Sequence, residues 1–126
     1  MSRKSKGINA ERELIHLFWQ RGWACVRVAG SGASRYPTPD IVAGRRSRSL
    51  AIECKSSRGL YQYLDDEEIL QLKTFSELFG AEPWIGVRFN TLPWKFFRIQ
   101  NLARTKGNFV VTRKDQGISV DDLLGS

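Results

Sequence analysis

Apolar residues recur with helical spacing near the start of the chain. Leu14, Leu17 and Phe18 fall at i, i+3 and i+4, and Ile15 and Trp19 widen the stripe, so a helix is expected over residues 9–20 with Gly22 as its stop. The pattern then shortens. Residues 23–29 (WACVRVA), 40–44 (DIVAG) and 50–55 (LAIECK) read as strands, the last two joined by a polar Arg-Ser turn. Residues 30–39 (GSGASRYPTP) are loop by composition, and a further loop follows the third strand as far as Leu64.

A second helix is expected over residues 65–79, closed by Gly80. Asp65, Asp66, Glu67 and Glu68 crowd its first turn, where carboxylates suit the positive end of the helix dipole, so the acidic run reads as structural. Residues 83–89 (PWIGVRF) and 94–99 (WKFFRI) look like a hairpin pair, and 109–112 like a short strand. Ser119 is placed to cap a last helix through Leu124, with Asp122 at the third position. Helix, strands, helix, strands is the order of an α/β domain with a central mixed sheet flanked by helices. At 126 residues, with no repeat and no dividing linker, one domain over 1–126 is expected. Residues 1–7 read as a mobile basic arm. No apolar run approaches the ~18 residues of a membrane span.

Charge changes the picture more than composition does. Twenty Lys and Arg against thirteen Asp and Glu give a net charge of +7. The whole excess lies in residues 1–60, where twelve basic residues meet four acids: Glu11, Glu13, Asp40 and Glu53. A basic half of this kind points to a polyanion, most often nucleic acid. Carboxylates inside it would repel phosphate unless something such as a divalent cation requires them. Cys25 and Cys54 fit no metal-binding spacing, and with no apolar signal core after the basic MSRKSKG start they read as buried, reduced thiols of an intracellular protein.

The sharpest local signal lies in residues 40–55. Glu53 and Lys55 are two apart on a strand and share a face, while Cys54 points with Ile52 into the core. A hairpin turning at Arg46 and Ser47 sets Asp40 opposite Glu53, with Cβ atoms ~5 Å apart. Two carboxylates so close, beside a lysine, suit a hard cation such as Mg2+ and phosphodiester hydrolysis. An edge hairpin with a cross-strand salt bridge is the alternative reading.

Pro39-Asp40, then Glu53-Cys54-Lys55 after twelve residues, forms P-D…E-x-K and resembles the signature of the PD-(D/E)xK nuclease superfamily. Ala10-Glu11-Arg12-Glu13, Val26-Arg27, the small-residue loop Ala29-Gly30-Ser31-Gly32, Asp40-Ile41-Val42-Ala43 and the ending at residues 119–125 extend the likeness. Together they resemble the archaeal Holliday junction resolvases of the Hjc type, over almost the whole chain. The resemblance implies a restriction-endonuclease-like fold and a Mg2+-dependent endonuclease, with Mn2+ as a substitute, acting on four-way DNA junctions in recombination and repair. It implies that Glu11, Asp40 and Glu53 hold the metal, that Lys55 is the catalytic lysine and that Ser31 belongs to a loop by the site. Arg12 and Arg27 match basic residues tied to activity or DNA contact. Glu13, on a different helix face, reads as solvated.

Arg3, Lys4, Lys6, Arg35, Arg45, Arg46, Arg48 and Arg58 are candidate phosphate contacts, which position DNA without reading bases. Tyr61 and Tyr63 either stack on unpaired bases or pack. Gln71, on the second helix, is a weaker candidate, and the lone His16 reads as a surface residue. Because alternation cannot hide both Phe96 and Phe97 on one face, a homodimer through the 84–99 strands and the second helix is expected. Two rivals remain at this point: a related nuclease cutting flapped, damaged or duplex DNA, and a non-catalytic nucleic-acid-binding protein.

Overall fold

The computed structural model describes residues 3–31 and 35–125, with the side chains of residues 3–8 outside that description. Helix α1 (Arg3–Gln20) leads into strand β1 (Ala24–Arg27), then β2 (Ile41–Arg45) and the long β3 (Arg48–Ser57). After β4 (Tyr61–Asp65) and α2 (Asp66–Phe79) come β5 (Glu82–Phe89), β6 (Lys95–Phe97) and a 3-10 turn (Ile99–Asn101). Strands β7 (Ala103–Thr105) and β8 (Asn108–Thr112) and helix α3 (Val120–Leu124) complete the chain.

Five strands form the main sheet in the order β1-β2-β3-β5-β6. β3 and β5 are parallel, and α2 lies in the crossover between them; the remaining pairs are antiparallel. Parallel neighbours buried on both faces need a continuous apolar run, and β5 supplies it, with Trp84 to Val87 all buried. One face of the sheet packs on α1, gathering Leu14, Phe18, Ile52, Cys54, Trp84 and Phe96. The other gathers Ala51, Leu64, Leu72, Ile85, Val87 and Phe97 under α2 and the second sheet, β4-β8-β7. The α/β architecture with a central mixed sheet is therefore as expected.

The local signals act as their chemistry requires. Arg46 takes φ +56° in the two-residue turn between Arg45 and Arg48. The Asp65 carboxylate accepts from the Glu68 amide at 2.7 Å, and Gly80, at φ +82°, closes α2 by donating to the Ser76 carbonyl. Ser119 caps α3 through the Asp122 amide at 3.0 Å.

Three expectations are corrected. Residues 3–7, expected in a mobile arm, are the first turns of α1; residues 1 and 2 lie outside the description. The loop expected before Leu64 contains β4, held by pairing with the distant β8. The premise for a dimer through the 84–99 strands, that Phe96 and Phe97 cannot both be buried within one chain, does not hold among the described residues. Phe96 is buried against α1 and Phe97 on the opposite face, each within the one chain.

Candidate active site

The β2–β3 hairpin positions the first two carboxylates. Ile41 pairs with Ile52, and one step further out the Asp40 amide donates to the Ile52 carbonyl at 3.1 Å while its own carbonyl accepts from Val28. This is the register the sequence predicts, and it brings Asp40 beside Glu53. The Asp40 carboxylate is held at both oxygens: Oδ2 accepts from the Cys54 amide at 2.8 Å and Oδ1 accepts from the Ser31 hydroxyl. Ser31 thus reaches the cluster from the loop after β1.

Electrostatics show how crowded the site is. Burial, and then the charge of Asp40, push the Glu53 carboxyl up to about 8 against the relief given by Lys55; Glu68 and a hydrogen bond with Asp40 push it the same way. Glu11, on α1, is also raised, by burial and then by Asp40, although Arg27 lies 3.3 Å away and favours its charged form. Burial works against a charged Lys55, but its close ion pair with Glu68 and the nearby Glu53 and Asp40 charges raise its pKa overall. The buried Cys54 thiol is driven well above its ordinary value, chiefly by burial. It is not a nucleophile here.

The structure thus brings together Glu11, Ser31, Asp40, Glu53 and Lys55, and adds Arg27 through Glu11. In this conformation each carboxylate is engaged by the protein, and among the described residues no three acidic, His or Cys side chains converge closely enough to enclose a metal ion. The donor chemistry nonetheless suits a hard cation. Asp40 repels both Glu11 and Glu53, and burial holds those two further towards the neutral form; a divalent charge would relieve both.

Two acids read otherwise in the sequence turn out to be engaged. Glu68 pairs with Lys55 at 2.6 Å, and Glu13 with Arg88 of β5 at 3.2 Å. Of the basic candidates, Arg12, Arg35, Arg45, Arg46 and Arg58 are exposed, whereas the Lys4 and Lys6 side chains lie outside the described residues. Arg48 is spoken for: it makes two bonds to Glu82, at 2.7 and 3.1 Å, and one to the Leu123 carbonyl at 2.7 Å. Tyr61 and Tyr63 are exposed and stacked on each other, with ring centroids 6.3 Å apart. Gln71 bonds to Glu67 at 3.4 Å, and His16 is exposed.

A mixed sheet with Asp40 at the entry to β2, Glu53 and Lys55 two apart on the neighbouring β3, and an acid from the first helix defines a nuclease of the P-D…E-x-K kind. The chain belongs to the archaeal Holliday junction resolvase (Hjc) family, whose sequence model matches residues 2–126. It is 46% identical to the crossover junction endodeoxyribonuclease Hjc of Archaeoglobus fulgidus over 97% of this chain and 91% of that one. It is 34% identical to the Hjc enzyme of Methanocaldococcus jannaschii over 92% and 83% of the two chains. The solved structure of Archaeoglobus fulgidus Hjc, a Holliday junction resolvase, superposes with a TM-score of 0.88 at 40% identity, covering 94% of this chain and 100% of that one.

Proposed function

We propose that this chain is an intracellular, Mg2+-dependent endonuclease that nicks two opposed strands of four-way DNA junctions, leaving 5′-phosphate and 3′-hydroxyl ends. The observation that carries the reading is the Glu53 carboxyl, desolvated and set beside Asp40, with Lys55 on the same strand face. Crossover junction endodeoxyribonucleases among its relatives support it.

Glu11, Asp40 and Glu53 would hold the metal, with Mn2+ as a substitute. Bound there, the cation would polarise a phosphoryl oxygen and acidify a water for in-line attack. Ser31 and the Cys54 amide fix the Asp40 carboxylate, so the site needs little rearrangement on that side. Lys55 brings a positive charge to the oxygens on which negative charge develops. Exposed Arg12, Arg35 and Arg58, with Arg27 beside Glu11 and Lys4 and Lys6 on α1, would hold the phosphate backbone.

A homodimer fits the substrate, because a two-fold assembly sets two equivalent sites on a junction that is itself near two-fold. The face for it is the outer side of α2, where Leu70, Leu78 and Phe79 are exposed and Phe75 stacks on Phe79 at 5.1 Å. An Asp40→Asn variant tests the reading: it should bind the junction with near wild-type affinity and fail to cut it. Cleavage retained by that variant would remove Asp40 from the metal site.

A further inference from the structure

Helix α2 opens with four consecutive acids, and their side chains go to different places. Asp65 caps the helix, Asp66 pairs with Arg104 at 2.8 Å, and Glu67 accepts from Gln71 one turn on. Glu68 is the half-buried one. It occupies the third helical position, from which a glutamate commonly reaches back to the capping residue. Here it turns towards the sheet and meets the Lys55 ammonium at 2.6 Å.

We propose that Glu68 is a positioning residue for Lys55, holding the lysine ammonium at the edge of the Asp40–Glu53 site. The inference deepens the nuclease reading and rests on the role given above to Lys55.

Three observations carry it. First, among the described residues the ion pair that Lys55 makes within 4.0 Å is with Glu68, although Glu53 shares its strand face. Second, both ends of the contact are anchored. Lys55 stands within β3, two residues before its end and in register with Val87 of β5, and the Glu68 backbone is fixed by the Asp65 cap. Third, the contact is partly shielded, with the two side chains 25% and 30% exposed, so water screens it less than a surface pair. A lysine stem has four rotatable bonds, and an untethered ammonium would sample many positions. Anchoring it to a rigid helix end keeps it within reach of the phosphate, and misplacement of a catalytic group by about 1 Å can slow a reaction by about 100-fold.

The competing role for Glu68 is a generic one, a first-turn acid complementing the helix dipole. Glu67 shares that role without touching Lys55, which makes it the control. Cleavage of a synthetic four-way junction is measured under single-turnover conditions with Mg2+ and saturating protein, beside junction affinity and thermal melting. Glu68→Gln should slow cleavage by about 10- to 100-fold with affinity held within about threefold of wild type. Glu67→Gln should leave both as they are. In a Lys55→Gln background, Glu68→Gln should cause no further loss, because its effect runs through the lysine.

All rates are compared at a temperature where melting curves show every variant folded. Wild-type cleavage by Glu68→Gln, an equal loss in Glu67→Gln, or a loss that persists without Lys55 would overturn the role of Glu68 alone. A wild-type protein that does not cut the junction would overturn the nuclease reading, and this one with it.

Discussion

Glu53→Gln should make the metal-free protein more stable at neutral pH while ending cleavage. Burial and Asp40 move the Glu53 carboxyl from the ordinary 4.5 to about 8. The folded chain therefore keeps a proton that the unfolded chain gives up. The stability tied to that proton is complete below pH 4.5 and is lost as pH rises through 8. Each pH unit crossed between those two values is worth ~1.4 kcal/mol, so between pH 4.5 and pH 7 the metal-free wild type should lose roughly 3 kcal/mol. In a chain of this length that is roughly 10 °C in melting temperature. Glutamine is a neutral isostere and removes the dependence. Denaturation of both proteins in EDTA between pH 5 and pH 8 measures it: the wild-type curve should fall with pH and the Gln curve should stay flatter and lie above it at pH 7.5. Added Mg2+ should then stabilise the wild type more than the variant, since a ligand stabilises the state that binds it. Parallel pH curves, or a Gln variant less stable than wild type at pH 7.5, would refute the crowded-carboxylate reasoning.

Arg48→Ala should cost about 1–2 kcal/mol of stability, because it removes two of the bonds that Glu82 accepts, leaving it the Trp84 indole, and takes the Arg48 donor from the Leu123 carbonyl. Junction affinity should be unchanged, as a filter-binding titration would show. Gly117→Ala should cost about 2 kcal/mol in denaturant unfolding, since a Cβ there would lie 2.8 Å from the Phe97 ring and 2.9 Å from the Phe96 carbonyl, at φ +56°. Leu78→Glu should halve the mass seen by light scattering, because this residue is 85% exposed on the apolar face of α2; a wild type already of one-chain mass would remove the dimer.

What the sequence made legible was local. A two-residue turn at Arg46 and Ser47 allows one register for the β2–β3 hairpin, so the turn alone sets Asp40 opposite Glu53, and the fold keeps them there. Capping by Asp65 and Ser119 is likewise written in a few adjacent residues. What was hidden depends on partners far along the chain. Strand β4 owes its existence to β8, more than forty residues on. Phe96 and Phe97 look like an excess of exposed aromatic surface until the sheet is seen to be covered on both faces, by α1 and by α2. Glu68 looks like one of four helix-dipole acids, and only the packing of α2 over β3 separates it from its neighbours. Arg48 looks like a phosphate contact until Glu82 and α3 close around it.

Junction selectivity is the most direct measurement. A synthetic four-way junction and a linear duplex of the same sequence are incubated with the protein, with and without Mg2+. A resolvase should cut the junction at two opposed, symmetry-related strands only when Mg2+ is present, and leave the duplex essentially intact. Equal cleavage of both substrates, or binding with no cleavage in Mg2+ or Mn2+, would contradict it.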